Sequence, residues 1–250
     1  MTLRARTRWG TVAILACGVL LSASDKKDQA KASDNQAVDS GSFAVLVKGQ
    51  RVVTESFSVH MNDGVSTVKS QLQNAPGSSP ISQHSELETT GSGELVSYSW
   101  TDGNGSLTVT PNNEFLLEKI LTSPSSKAAE QPFLMPKTSA ILDNNFFIHR
   151  EVLAWRYLAT NCHPEGGGQK CQKDSADFGV LVPQDRTSLR VRIELVGREK
   201  VMIHGAEREL LRLNLKGEAF SWALWVDEND KFKLMRVLIA VDNNTDVLRD

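Results

Sequence analysis

From residue 43 onward, apolar residues recur at every second position, the period of a half-buried β-strand. Phe43, Val45 and Val47 stand at alternate positions before the turn Lys48-Gly49-Gln50. Val53, Phe57 and Val59 then share one face, with Thr54, Ser56 and Ser58 on the other, so the pair reads as a hairpin. Val96, Tyr98 and Trp100 alternate with serines and lead into the turn Asp102-Gly103-Asn104-Gly105, after which Leu107 and Val109 resume the pattern. Phe115 to Leu121 predicts one further strand. Residues 122–138 carry Pro124, Pro132 and Pro136 and predict a long surface connection.

The period then changes from two to about 3.6. Ile148, Val152, Trp155 and Ala159 fall on one face of a helix near residues 144–160, with Asp143 or Asn144 as its cap. Pro164 and the run Gly166-Gly167-Gly168 end it. The last third returns to period two. Leu189, Val191, Ile193 and Leu195 oppose Arg190, Arg192 and Glu194, and Leu211, Leu213 and Leu215 oppose Arg212, Asn214 and Lys216. Phe220, Trp222, Leu224 and Val226 follow, then Met235, Val237, Ile239 and Val241. One apolar and one polar face per strand is the signature of an antiparallel sheet with a single buried side. About ten strands and one helix predict a mainly β fold. It would be a large curved antiparallel sheet, half-barrel-like, with the helix covering its concave face; the alternative is a two-sheet β sandwich.

Residues 1–24 stand apart. Arg4, Arg6 and Arg8 precede an apolar run from Trp9 to Leu21 and the small residues Ser22-Ala23-Ser24, the layout of a secretory signal peptide. Two endings fit. Ile14-Leu15-Ala16-Cys17-Gly18 resembles a bacterial lipobox, in which Cys17 would carry a lipid. Because Val19, Leu20 and Leu21 stay apolar beyond it, ordinary cleavage near Ser24 is the preferred reading. Residues 25–41 are mostly Lys, Asp, Ser, Ala and Gln, a flexible tether, so the expected domain is 42–250. The expected location is the periplasm or the envelope of a bacterium, with membrane attachment only through an N-terminal lipid anchor.

Charge and candidate chemistry narrow the function classes. Removing residues 1–24, with three arginines and no acid, leaves 25 basic against 30 acidic residues, a net charge of −5. There is no basic stripe and no interleaving of aromatics with Lys or Arg, so nucleic acid is not an expected partner. Cys162 and Cys171 flank a glycine-rich loop and, in an exported chain, predict a disulfide. A Cys-His-Cys metal site using His163 matches no common zinc spacing, so no metal and no cofactor is expected. His60, His84, His149, His163 and His204 form no constellation, and no Gly-x-Ser-x-Gly elbow occurs. Glu86 and Glu88 lie two apart on a strand and read as a solvated face. No catalytic residue is therefore nominated. Trp222 and Trp225, three apart on a strand, should face opposite sides of the sheet.

Two short stretches carry a resemblance. Val45-Leu46-Val47-Lys48-Gly49-Gln50-Arg51-Val52-Val53-Thr54-Glu55 is similar to the opening hairpin of a family of uncharacterised bacterial periplasmic β proteins. Ala223-Leu224-Trp225-Val226-Asp227-Glu228-Asn229-Asp230-Lys231 resembles the strand-turn-strand ending shared with the lipoprotein-carrier (LolA/LolB-like) group. The resemblance implies a curved sheet with a helical lid and a cavity for acyl chains; it transfers no functional residue. The expected function is a non-catalytic envelope protein that binds a hydrophobic ligand (lipid, glycolipid or apolar peptide) on the concave face, lined by Trp100, Trp155 and Trp222. The alternative is an interaction or scaffold module with a solid core, meeting an envelope protein partner.

Overall fold

The computed structural model of the chain describes residues 36–74, 82–166, 168–239 and 245–250. The expected signal peptide, Cys17, residues 25–35 of the expected tether and Val241 lie outside them. Eight strands come first: β1 (Gln36–Val47), β2 (Gln50–Asn62), β3 (Val65–Asn74), β4 (Gln83–Thr90), β5 (Leu95–Thr101), β6 (Ser106–Asn112), β7 (Phe115–Leu121) and β8 (Ala129–Phe133). The short β9 (Ala140–Ile141) precedes the helix α1 (Ile148–Asn161), and β10 (Cys162–Glu165) pairs with β11 (Gly168–Cys171) directly after it. Six strands close the chain: β12 (Ala176–Val182), β13 (Thr187–Ile203), β14 (Ala206–Lys216), β15 (Ser221–Asp227), β16 (Lys233–Ile239) and β17 (Thr245–Arg249).

Fifteen strands form one open, curved sheet in the order β8-β7-β6-β5-β4-β3-β2-β1-β17-β16-β15-β14-β13-β12-β9. Two meanders are thus joined at the centre by β1 and β17, with Phe43 opposite Arg249. A sheet this wide must curl, and bulges in β1/β2, β4/β5, β13/β14 and β15/β16 supply local bends. The tight β1–β2 turn places Lys48 and Gly49 successively at positive φ, the geometry a two-residue hairpin requires and glycine meets without strain.

The curved sheet with one helix in its hollow is the architecture that the alternation implied; the two-sheet sandwich is not formed. The strands number more than expected because several are short or irregular. Residues 36–41, expected in the tether, belong to β1, and residues 129–133 of the expected connection form the edge strand β8. Phe133 and Met135 are buried there, while Leu134 between them is 80% exposed.

Nearly all the apolar burial is on the concave face. Phe57, Val68, Leu87, Val109 and Leu116 from one meander and Val191, Ile193, Leu213, Leu224 and Val237 from the other meet Ile148, Leu153, Ala154, Tyr157 and Leu158 of α1 in one cluster. A smaller cluster on the outer face contains Val201, Ile203, Leu210, Trp225 and Met235. Trp222 packs on the inner cluster and Trp225 in the outer one, as their spacing required. Two alternation readings are corrected by bulges. Met235 turns to the outer face beside the β15/β16 bulge, away from Val237 and Ile239. Val96 is 38% exposed, because the β4/β5 irregularity puts Leu95 inward with Tyr98.

Candidate functional site

The helix that organises the hollow has good helix formers, with Glu151, Leu153, Ala154, Leu158 and Ala159 in its body. Its expected cap does not act as one. The helix begins after Phe147, whose side chain caps nothing, and the role falls to Glu55 of β2. Glu55 accepts the backbone N–H of Phe147 (2.5 Å) and of Ile148 (3.2 Å) and the hydroxyl of Ser70 (2.7 Å). A carboxyl from a distant strand thus satisfies donors that a helix start leaves unpaired. Complete burial pushes the Glu55 carboxyl up to about 7, against these hydrogen bonds and the nearby Arg150. Asp143 instead accepts from the backbone of Asn145 (2.7 Å), from the Tyr98 hydroxyl and from Gln184.

The inner side of α1 carries more charge. Arg150, 1% exposed, donates to the carbonyls of Asp143 and Phe146 and lies 4.8 Å from the ring centres of Phe147 and Trp222. Glu151, also buried, accepts from the backbone of Leu234 (2.9 Å) and from Arg249 (3.1 Å). Arg249 in turn binds both carboxyl oxygens of Asp39 at 2.6 and 2.7 Å. Burial, and then the bond to Asp39, hold Glu151 well above the usual carboxylate range. Burial opposes ionisation of Asp39 too, but its bonds to Glu151 and Arg249 prevail and hold it low. The cluster ties β1, β17, β16 and α1 together at the seam between the meanders. His149 is buried, its Nδ1 accepts the Asp143 backbone N–H, and burial pushes it down to about 4, so it is neutral.

The outer side of α1 faces a groove of about 580 Å³, within the range of ligand sites. Val152, Trp155, Arg156 and Ala159 form one wall. Met61 and Ser66 beside the β2–β3 turn and residues 89–93 form the second, and Ala176, Asp177 and Phe178 at the start of β12 form the third. The Trp155 indole N–H donates to the Phe232 carbonyl (3.1 Å), fixing the ring. Asp177, the carboxylate lining the groove, is held by Arg192 at 2.8 and 3.0 Å.

Of the three tryptophans expected to share a ligand surface, only Trp155 lines this groove. Trp100 packs at the edge of the core, with its indole N–H 3.4 Å from Gln83. Trp222 stacks on Phe220 with ring centres 4.5 Å apart and backs Arg150. The stripe Ile148, Val152, Trp155, Ala159, expected to cover the sheet, is also corrected. Ile148 is buried, but Val152 and Trp155 are half-buried and Ala159 is exposed, because a second stripe of Leu153, Ala154, Tyr157 and Leu158 takes the inward position. Between helix and sheet, a small void beside His149 measures about 10 Å³, room for no more than a water.

The Cys162–Cys171 disulfide is formed, directly after α1, across paired positions of β10 and β11. No group of three or more His, Cys, Asp or Glu able to hold a metal occurs among the described residues. Glu55 and Glu118 were overlooked as inward groups, although period two places Glu55 in the row Val53, Phe57, Val59 and Glu118 in the row Leu116, Ile120. Burial pushes Glu118 up to about 7, against the attraction of Arg186 3.8 Å away. Comparison with protein-family models, curated proteins and solved structures gives no match.

Proposed function

We propose that this chain is a non-catalytic, exported envelope protein that holds an apolar ligand in the groove beside Trp155. The observation that carries the reading is the groove itself: about 580 Å³, in which Met61, Val152, Trp155, Ala159 and Phe178 are gathered and left partly uncovered. The ligand position differs from the one first expected. Phe133, Met135 and the helix fill the hollow between helix and sheet, so the ligand would lie on the far side of α1, against Val152, Trp155, Phe178 and Met61. Export is supported by the layout of residues 1–24 and by the disulfide, a bond that persists in oxidising compartments. This function needs only the architecture, and not the residues, of the carriers that the sequence resembles.

The test is a titration of the purified protein with single-chain lipids, followed by tryptophan emission, in the natural chain and in Trp155→Ala. Binding that Trp155→Ala abolishes supports the groove. The filled hollow favours one competing reading, an interaction module without a small ligand. Absence of binding by every lipid, together with capture of a protein partner that Met202→Asp on the outer face releases, would support it; Met202 is 55% exposed.

A further inference from the structure

Among the described residues, one charged side chain in the groove has no charged partner. Arg156 is half-buried among Val152, Trp155 and Phe178, yet its guanidinium is held by neutral groups. It donates to the Thr138 carbonyl at 2.8 Å and lies 5.6 Å from the centre of the Phe178 ring. Burial is the only influence that moves its pKa, downward, and no described carboxylate offsets it. The seat is built for it: a Cβ on Gly93, which sits at φ +79°, would stand 2.9 Å from Arg156 Nε. Asp177, across the groove, is already neutralised by Arg192. The groove therefore presents an apolar wall with one uncompensated positive charge set into it.

A guanidinium keeps its proton at any physiological pH and presents a fork of donors suited to carboxylate or phosphate. In apolar surroundings, pairing with an anion is worth more than in water, and an uncharged ligand leaves the cation without a counter-charge. Besides the paired Asp177, the rest of the lining is uncharged, with the hydroxyls of Ser66, Thr89, Thr90, Ser92 and Thr160 beside the apolar side chains. Resting on the groove reading above, we propose that the ligand is a single-chain anionic amphiphile, its carboxylate or phosphate head on Arg156 and its hydrocarbon chain along Val152, Trp155, Phe178 and Met61. The one competitor with a structural basis is an extended peptide. β12 runs on past the two residues that β9 covers, Val180 and Leu181, so the backbone at Asp177 offers one free edge position. One such position gives little register, whereas Arg156 offers an anionic head a charge partner that no described carboxylate takes, and the amphiphile is preferred.

The experiment compares hexadecanoate with hexadecanol and methyl hexadecanoate on the full-length chain, below their aggregation concentrations and followed by tryptophan emission. A charge-assisted pair predicts at least about tenfold tighter binding of the carboxylate. Arg156→Gln should erase that preference, bringing hexadecanoate down to the level of hexadecanol, and Arg156→Lys should keep part of it. The comparison within the natural chain stands even if a variant misfolds. Hexadecyl phosphate binding like hexadecanoate supports an anion seat common to both heads. Equal affinity for acid, alcohol and ester overturns the head-group assignment but leaves the groove reading intact. No binding by any of the three overturns both. Binding of a blocked apolar peptide alone overturns the amphiphile in favour of strand addition on β12.

Discussion

On its inner side α1 buries Arg150 and Glu151 at no more than 1% exposure, while on its outer side Val152 and Trp155 are half-buried and Ala159 is exposed. Two charged groups thus stand beside the inward apolar stripe of Leu153, Ala154, Tyr157 and Leu158, where an amphipathic helix usually has none. The inner side tolerates charge because each ionisable group meets partners outside the helix: Glu151 meets Arg249 of β17, and Arg150 meets two carbonyls and the Phe147 ring of the preceding loop and the Trp222 ring of β15. Across the groove the outer side meets only the β2–β3 end, residues 89–93 and the start of β12. The contrast teaches that the inner side is a structural joint and the outer side a surface left open. Changes on the first should move stability, and changes on the second should move binding.

The largest effect is expected at Arg249. Arg249→Met leaves the buried Asp39 and Glu151 with only Lys233, 3.6 Å from Asp39, as a cation and should cost about 3 kcal/mol in urea unfolding. Adding Asp39→Asn and Glu151→Gln should return a good part of that loss; no recovery would mean that the guanidinium stem, not its charge, holds the joint.

Next comes the disulfide, which belongs to neither side of the helix and serves as a control. Replacing both Cys162 and Cys171 with Ser opens a loop of sequence separation 9 and should cost about 2–3 kcal/mol by loop entropy. Ligand affinity should not change. A fall in affinity would show that the groove depends on the end of α1.

Glu55 should give a smaller loss and a pH signature. Glu55→Ala strands the N–H groups of Phe147 and Ile148 and should cost about 1–3 kcal/mol, with Glu55→Gln milder. The folded chain holds the Glu55 proton up to about 7, whereas the unfolded chain releases it near the ordinary 4.5. At Glu55, folding therefore takes up a proton in that window, and the stability it contributes should fall as pH rises from about 4.5 to 7. Glu118, raised to the same value, and Glu151 act in the same direction, whereas His149, held down to about 4, acts in the opposite one up to about 6.5. Unfolding measured across this range should show a slope that Glu55→Gln reduces; an unchanged slope would assign it to Glu118 or to other groups.

The smallest stability effect is expected on the outer side. Trp155→Ala removes a half-buried ring and should cost only about 1 kcal/mol, well below the loss for a fully buried tryptophan. A loss as large as that at Arg249 would mean that the outer wall belongs to the core, and the contrast between the two sides would fail.

Much of the fold was legible because alternation is a local property. Val191, Ile193, Leu213, Leu215 and Leu224 all point inward as their spacing demanded, and Trp222 and Trp225 part to opposite faces. Where a bulge interrupts the ladder, local reading failed, as at Met235 and Val96. The same rule could have shown Glu55 and Glu118 as inward groups, but a charged residue in a strand is read by default as solvated. Of the candidate site, Trp155 was legible as an aromatic on the helix, and its neighbours Met61, Gly93 and Phe178 were not, since they come from three separate parts of the chain.

By itself, then, the sequence determined that the chain would form half-buried strands, where one helix would lie and which two cysteines would pair, because each depends on residues a few positions apart. The tertiary structure alone decided which side of α1 would be inside. Two apolar stripes, Ile148-Val152-Trp155-Ala159 and Leu153-Ala154-Tyr157-Leu158, compete for the core. What selects the second is a set of contacts no local pattern contains: Glu55 meets Phe147 and Ile148 across 92 and 93 residues, and Glu151 meets Arg249 across 98. Those partners exist only once the two meanders have closed around the helix, and the groove is what their choice leaves uncovered.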